Sequence, residues 1–152
     1  MRPILAPLAA LILMLPGCQQ QATELQVTDA WVKLPAVSEN PGAAYFTITG
    51  GGEDATLVGV TAPFAVRAEM HESMKMDGQM ANMMTMKPIT EVQVPAGETV
   101  TFAPGGKHVM VYDIAPEVKS GDTVPLRLSF AGRDPIEVQA KVLAAGDPAP
   151  QP

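Results

Sequence analysis

The stretch PGGKHVMVYDI, Pro104 to Ile114, opens on a turn and then alternates. In an extended strand successive side chains point to opposite faces, so Val109 and Val111 share one face while His108 and Met110 share the other. Two valines belong in a core. His108 and Met110 are then expected to point outward together.

The same pattern recurs on both sides of this segment. Short runs rich in Val, Ile, Thr and Phe are expected as strands at Leu25 to Leu34, Ala43 to Thr49, Thr56 to Thr61, Phe64 to Met70 and Ile89 to Val94. Thr99 to Phe102, His108 to Ile114, Val124 to Phe130 and Ile136 to Leu143 complete the set. Turns fall at Asn40-Pro41-Gly42, Gly50-Gly51-Gly52, Pro95-Ala96-Gly97, Pro104-Gly105-Gly106 and Ala131-Gly132. Such spacing, without a convincing helix, predicts an all-β fold: a Greek-key sandwich or barrel of cupredoxin-like or immunoglobulin-like type. Trp31, Tyr45, Phe46 and Phe64 read as core residues.

The N-terminus, MRPILAPLAALILMLPGCQQ, is of another kind. One basic residue, Arg2, precedes an apolar run from Ile4 to Leu15 that is too short for a comfortable membrane span and fits a secretory signal. The run ends in Leu15-Pro16-Gly17-Cys18, which resembles the lipobox of bacterial lipoproteins, with proline as a departure. On that reading residues 1–17 are a signal peptide, Cys18 is acylated, and residues 18–24 form a tether to a domain spanning 25–143. An ordinary signal peptide that leaves Cys18 as a free thiol is the alternative. Residues 144–152 have the composition of a disordered tail.

From Cys18 onward 135 residues remain, which is one domain's worth. Without Arg2, nine Lys and Arg stand against sixteen Asp and Glu, a formal charge of −7 with no basic block, so nucleic acid is not the expected partner. Cys18 is the sole cysteine, which excludes an intrachain disulfide and leaves the domain no thiolate for a metal. No nucleophile triad or phosphate loop stands out, so catalysis is not expected.

The remaining signal is HESMKMDGQMANMMTM, His71 to Met86. Seven of the eight methionines after residue 17 lie between Met70 and Met86, among polar residues and glycine. His71 and His108 are the two histidines of the chain. Thioether sulfur is a soft, uncharged donor suited to Cu(I) and poorly suited to Zn(II), Mg(II) or Ca(II), while imidazole serves copper in either oxidation state. A zinc site would recruit Cys or carboxylates, a calcium loop a series of oxygens, and a blue-copper site a cysteine. Histidine with methionine therefore points to Cu(I). Met70 follows its strand's alternation and is as much a core residue as a ligand. Glu69 and Glu72 flank His71 and read as solvated charges, with orientation of the ring as the alternative.

The order His71, Met86, then twenty-one residues, then His108-Val109-Met110 resembles the signature of the periplasmic copper chaperone family PCu(A)C. Met84-Thr85-Met86-Lys87-Pro88-Ile89, Val94-Pro95-Ala96-Gly97 and Pro104-Gly105-Gly106-Lys107-His108 are similar to segments of that family. The resemblance implies one cupredoxin-like domain holding one Cu(I) ion through His71, Met86, His108 and Met110. It also implies delivery during cytochrome c oxidase assembly to the copper A site of subunit II, with a Sco-type copper protein as a further candidate partner. Fourteen residues separate His71 from Met86, more than is usual in the family, so Met83 and Met84 stand as alternatives to Met86. Met74, Met76, Met80, Met83 and Met84 are expected to act as auxiliary donors during exchange.

Three functions from different classes follow: a lipid-anchored periplasmic copper carrier, monomeric; a passive protein that sequesters copper or silver; and a metal-free structural β module using methionine as an adhesive surface.

Overall fold

The computed structural model describes residues 24–75 and 84–150. Within them lie ten strands: β1 (Gln26–Lys33), β2 (Gly42–Thr49), β3 (Ala55–Thr61), β4 (Ala65–Lys75), β5 (Met84–Pro88), β6 (Val92–Val94), β7 (Thr99–Phe102), β8 (Lys107–Ile114), β9 (Thr123–Phe130) and β10 (Ile136–Leu143). They form one sheet in the order β5-β4-β8-β7-β2-β1-β10-β9-β3-β6, curled into a half-barrel. Most neighbours are antiparallel; β1 with β10 and β7 with β8 are parallel. The expected all-β architecture is observed.

Alternation builds the core. In β9, Val124, Leu126, Leu128 and Phe130 are buried while Thr123 and Arg127 are exposed. Val109 and Val111 of β8 are fully buried, as their phase requires. Phe46 stacks on Phe102 across β2 and β7, with ring centroids 4.4 Å apart. Trp31 and Tyr45 are buried too, but on the opposite face of the sheet from Val32 and Ala44, where they stack at 4.2 Å. A bulge between Thr28 and Trp31, with Asp29 at φ 53°, sets the phase that brings those two rings together.

Three sequence expectations change. The segment after Met70 continues as strand through Lys75, and Met84–Pro88 pairs with it as β5, so part of the methionine-rich stretch is hairpin rather than loop. His71 to Lys75 contains no Gly or Pro, and its backbone finds partners on β5, so nothing ends the strand. The expected strand from Ile89 shortens to Val92–Val94. After Leu143 the chain forms a turn in which the Asp147 carboxylate accepts from the Ala144 amide at 2.7 Å, and Lys33 Nζ donates to the Asp147 carbonyl at 3.0 Å. Residues 1–23, with Cys18, and Met76, Met80 and Met83 lie outside the described residues.

Candidate metal site

Strand β4 lies between β5 and β8, and its register decides which side chains meet. His71 is directly opposite His108 on β8 and opposite Pro88 on β5. Ser73 is opposite Met86, and Glu69 is opposite Met110. Directly paired residues project to the same face, and so do residues two apart along one strand. His71, His108, Met86, Met110 and Glu69 therefore share the outer face of the half-barrel, while Met70, Val109 and Val111 share the core face.

The turn before β8 fixes His108. Gly106 N donates to Ala103 O at 3.0 Å across Pro104-Gly105, and Gly105 has φ 82°, a left-handed conformation that glycine adopts without strain. The Gly106 carbonyl is thereby aimed back at β4 and β8, where it accepts from Ser73 N at 3.1 Å and from His108 Nδ1 at 3.0 Å. A carbonyl only accepts, so the Nδ1 proton is assigned by its partner. In the neutral ring Nε2 then carries the free lone pair, as a metal-binding imidazole requires.

His71 has no such anchor. Both of its ring nitrogens are buried and neither makes a hydrogen bond. Glu69 Oε2 lies 3.5 Å from His71 Nε2, beyond normal hydrogen-bond length. Leaving two polar ring atoms buried and unpartnered is costly, and a bound ion at one of them offsets that cost. The ring centroids of His71 and His108 are 5.9 Å apart. Imidazoles sharing one ion at about 2.0 Å from each nitrogen have centroids on the order of 5 to 6 Å apart. The two rings fit a shared metal.

The other donors are sulfurs. Met110 is half-buried beside Ala43 of β2, and Met86 is 57% exposed on the edge strand β5. Among the described residues no group of three or more His, Cys, Asp and Glu gathers closely enough to hold an ion, so a site here needs the thioethers. That composition favours a soft ion.

Some sequence assignments do not join this face. Met74, expected as an auxiliary donor, is opposite Thr85 and one residue out of phase with His71 and Ser73, so it projects from the other face. Met70 is 5% exposed in the core. Glu72 also lies on the other face, where Lys107 Nζ donates to it at 2.8 Å. Met84, opposite Lys75 at the last rung, keeps the phase of Met86 but stands farther from His71. His108 faces outward as its phase predicted, yet is 4% exposed rather than open to solvent. Sequence reasoning missed the Gly106 carbonyl. It treated Glu69 and Glu72 alike, although alternation alone separates them: Glu69 is in phase with His71 and Glu72 is not.

A curled all-β half-barrel of this kind defines a class of small β domain, and known structures share its fold. The fold is similar to that of the copper-bound PCuAC domain from PmoF2, with TM-score 0.63 and 21% identity over 81% of this chain and 95% of that one. It is also similar to the solution structures of DR1885 from Deinococcus radiodurans. The apo form gives TM-score 0.56 and 26% identity over 95% and 97% of the two chains, and the Cu(I) form 0.56 and 27% over 84% and 83%. Residues 25–142 match the family described as "Putative lipoprotein LpqE-like", and the chain belongs to that LpqE-like family. A relative from Leifsonia xyli subsp. xyli (strain CTCB07), "Putative lipoprotein Lxx21020", is 32% identical over 148 residues, covering 88% of this chain and 86% of its own.

Proposed function

We propose that the domain is a copper carrier that holds one Cu(I) ion on its outer face through His71, His108, Met110 and Met86. The observation that carries this reading is the direct pairing of His71 with His108, with the buried nitrogens of His71 unpartnered and Met110 and Met86 in phase beside them. Likeness to domains solved with copper and with Cu(I) supports it. Met86 is preferred over Met84, which keeps the same phase, because Met86 is paired two rungs from His71 and Met84 four.

The four donors differ in mobility, which suits transfer. His108 is pinned by the Gly106 carbonyl, and Met110 sits on a strand paired on both sides. Met86 is on an edge strand and mostly exposed, so it is the donor that an incoming soft ligand displaces first. Hand-over is then ligand exchange at the β5 edge. This exposure favours carrying over sequestration, since a storage site gains nothing from an open donor.

In this reading Cys18 is acylated and residues 18–24 tether the domain to the outer side of a bacterial membrane, consistent with a lipoprotein family. The acceptor we propose is the copper A domain of cytochrome c oxidase subunit II, with a Sco-type protein acting beside it. The domain performs no catalysis, and it acts as a monomer. Titration of the purified domain with copper under reducing conditions tests the reading: one equivalent is expected to bind tightly. No binding would leave the metal-free module. Tight binding without faster loss to subunit II than to a small chelator of equal affinity would leave sequestration.

A further inference from the structure

We propose that Glu69 is a positioning residue whose carboxylate balances the charge of the bound ion, and that it sets the preference of the site between Cu(I) and Cu(II). The inference rests on the copper reading above and concerns a residue outside the donor set.

The four donors are all neutral, so a bound copper ion keeps its full positive charge. On its imidazole side the ion is shielded from water, since the His71 side chain is 15% exposed and His108 is 4% exposed, while Met86 leaves the other side open. A charge in such a place is unfavourable unless an opposite charge stands near it. Glu69 is placed to supply one. It is two residues from His71 on the same face, it is opposite Met110 in register, and its Oε2 lies 3.5 Å from His71 Nε2.

The carboxylate is also held. Its other oxygen, Oε1, accepts from Arg67 Nη1 at 3.0 Å, and the Arg67 guanidinium lies 4.1 Å above the Tyr112 ring. Tyr112 is opposite Arg67 in register, so the row Tyr112, Arg67, Glu69, His71 runs along one face toward the site. Arg67 is 57% exposed, and an ion pair that open adds little to stability. Its consequence is geometric, since it keeps the carboxylate beside the histidine instead of in solvent.

Balancing by a single negative charge favours Cu(II) over Cu(I), because the interaction scales with the charge of the ion. Imidazole serves both states, so the same face binds either ion and Glu69 biases the choice. Removing the carboxylate should therefore cost more Cu(II) affinity than Cu(I) affinity. Removing Arg67, which lets the carboxylate turn toward solvent, should act in the same sense and more weakly.

The experiment uses the purified mature chain. Cu(I) affinity is read by chelator competition, Cu(II) affinity by titration, and the Cu(II)/Cu(I) potential by electrochemistry, for wild type, Glu69→Gln and Arg67→Gln. Glu69→Gln is expected to lose about tenfold more Cu(II) affinity than Cu(I) affinity, raising the potential by about 59 mV, and Arg67→Gln to raise it by less. Were Glu69 merely structural, both affinities would fall together and the potential would stay put, which overturns the proposal. Should Glu69→Gln fail to fold, Arg67→Gln still decides: a lowered or unchanged potential overturns it. Wild type that binds no copper would instead sink the copper reading itself.

Discussion

Replacing Met110 by leucine removes one sulfur and little else. Met110 is half-buried on β8, flanked in register by Glu69 on β4 and by Ala43 on β2, and leucine keeps its volume and apolar contact. Swaps of this kind usually cost less than about 1.5 kcal/mol, so the variant should fold and unfold close to wild type. Copper should respond differently. Losing a donor should cost at least what disturbing a neighbour of a ligand costs, about tenfold or more, equivalent to about 1.4 kcal/mol. The control is Met74→Leu, the same chemical change on the opposite face at a residue 44% exposed. Its Cu(I) affinity should stay within about twofold of wild type, because a thioether out of phase with His71 does not reach the site. Competition against a Cu(I) chelator, with thermal unfolding in parallel, measures both. Equal losses in the two variants would refute the assignment of donors by face.

Further outcomes follow from the same geometry. Gly105→Ala should destabilise the domain by roughly 1 to 2 kcal/mol, because φ 82° is strained for alanine although no atom lies within 4 Å of the added Cβ. It should also weaken copper binding through the displaced Gly106 carbonyl, as denaturant midpoints and chelator competition together would register. Burial pushes the Tyr45 phenol above its ordinary 10.0, so the unfolded chain releases that proton first as pH climbs. Stability from this source is complete below pH 10.0 and is lost as pH rises through the folded value; urea midpoints across that range should fall for wild type and fall less for Tyr45→Phe. Acidification should release copper gradually, since each imidazole must shed a proton to bind while thioethers do not titrate; an affinity unchanged from neutral to mildly acid solution would exclude the histidines.

How much of this was readable in the sequence depended on whether neighbouring residues carry the information. The β-strands of the core were, because Val109 and Val111 or Leu126 and Leu128 announce a buried face by alternation alone. The hairpin formed by β4 and β5 was not. Its residues lie beyond the core, so polar and methionine side chains hide the period, and only the pairing of Ser73 with Met86 reveals it. The four candidate donors came from residue type and from resemblance to a known family, yet their common face follows from register, which depends on contacts distant in the chain. Register likewise puts Met74, expected as an auxiliary donor, on the opposite face. The burial of His108 was also beyond reach, since alternation tells a face and not what covers it.

X-ray absorption at the copper edge of the Cu(I)-loaded domain tests the central claim most directly, because it reports which atoms surround the metal. Two nitrogen and two sulfur neighbours are expected, with one nitrogen lost in His71→Ala and one sulfur lost in Met86→Leu. A shell of nitrogen and oxygen alone, or one unchanged by both substitutions, would contradict a site built on this face.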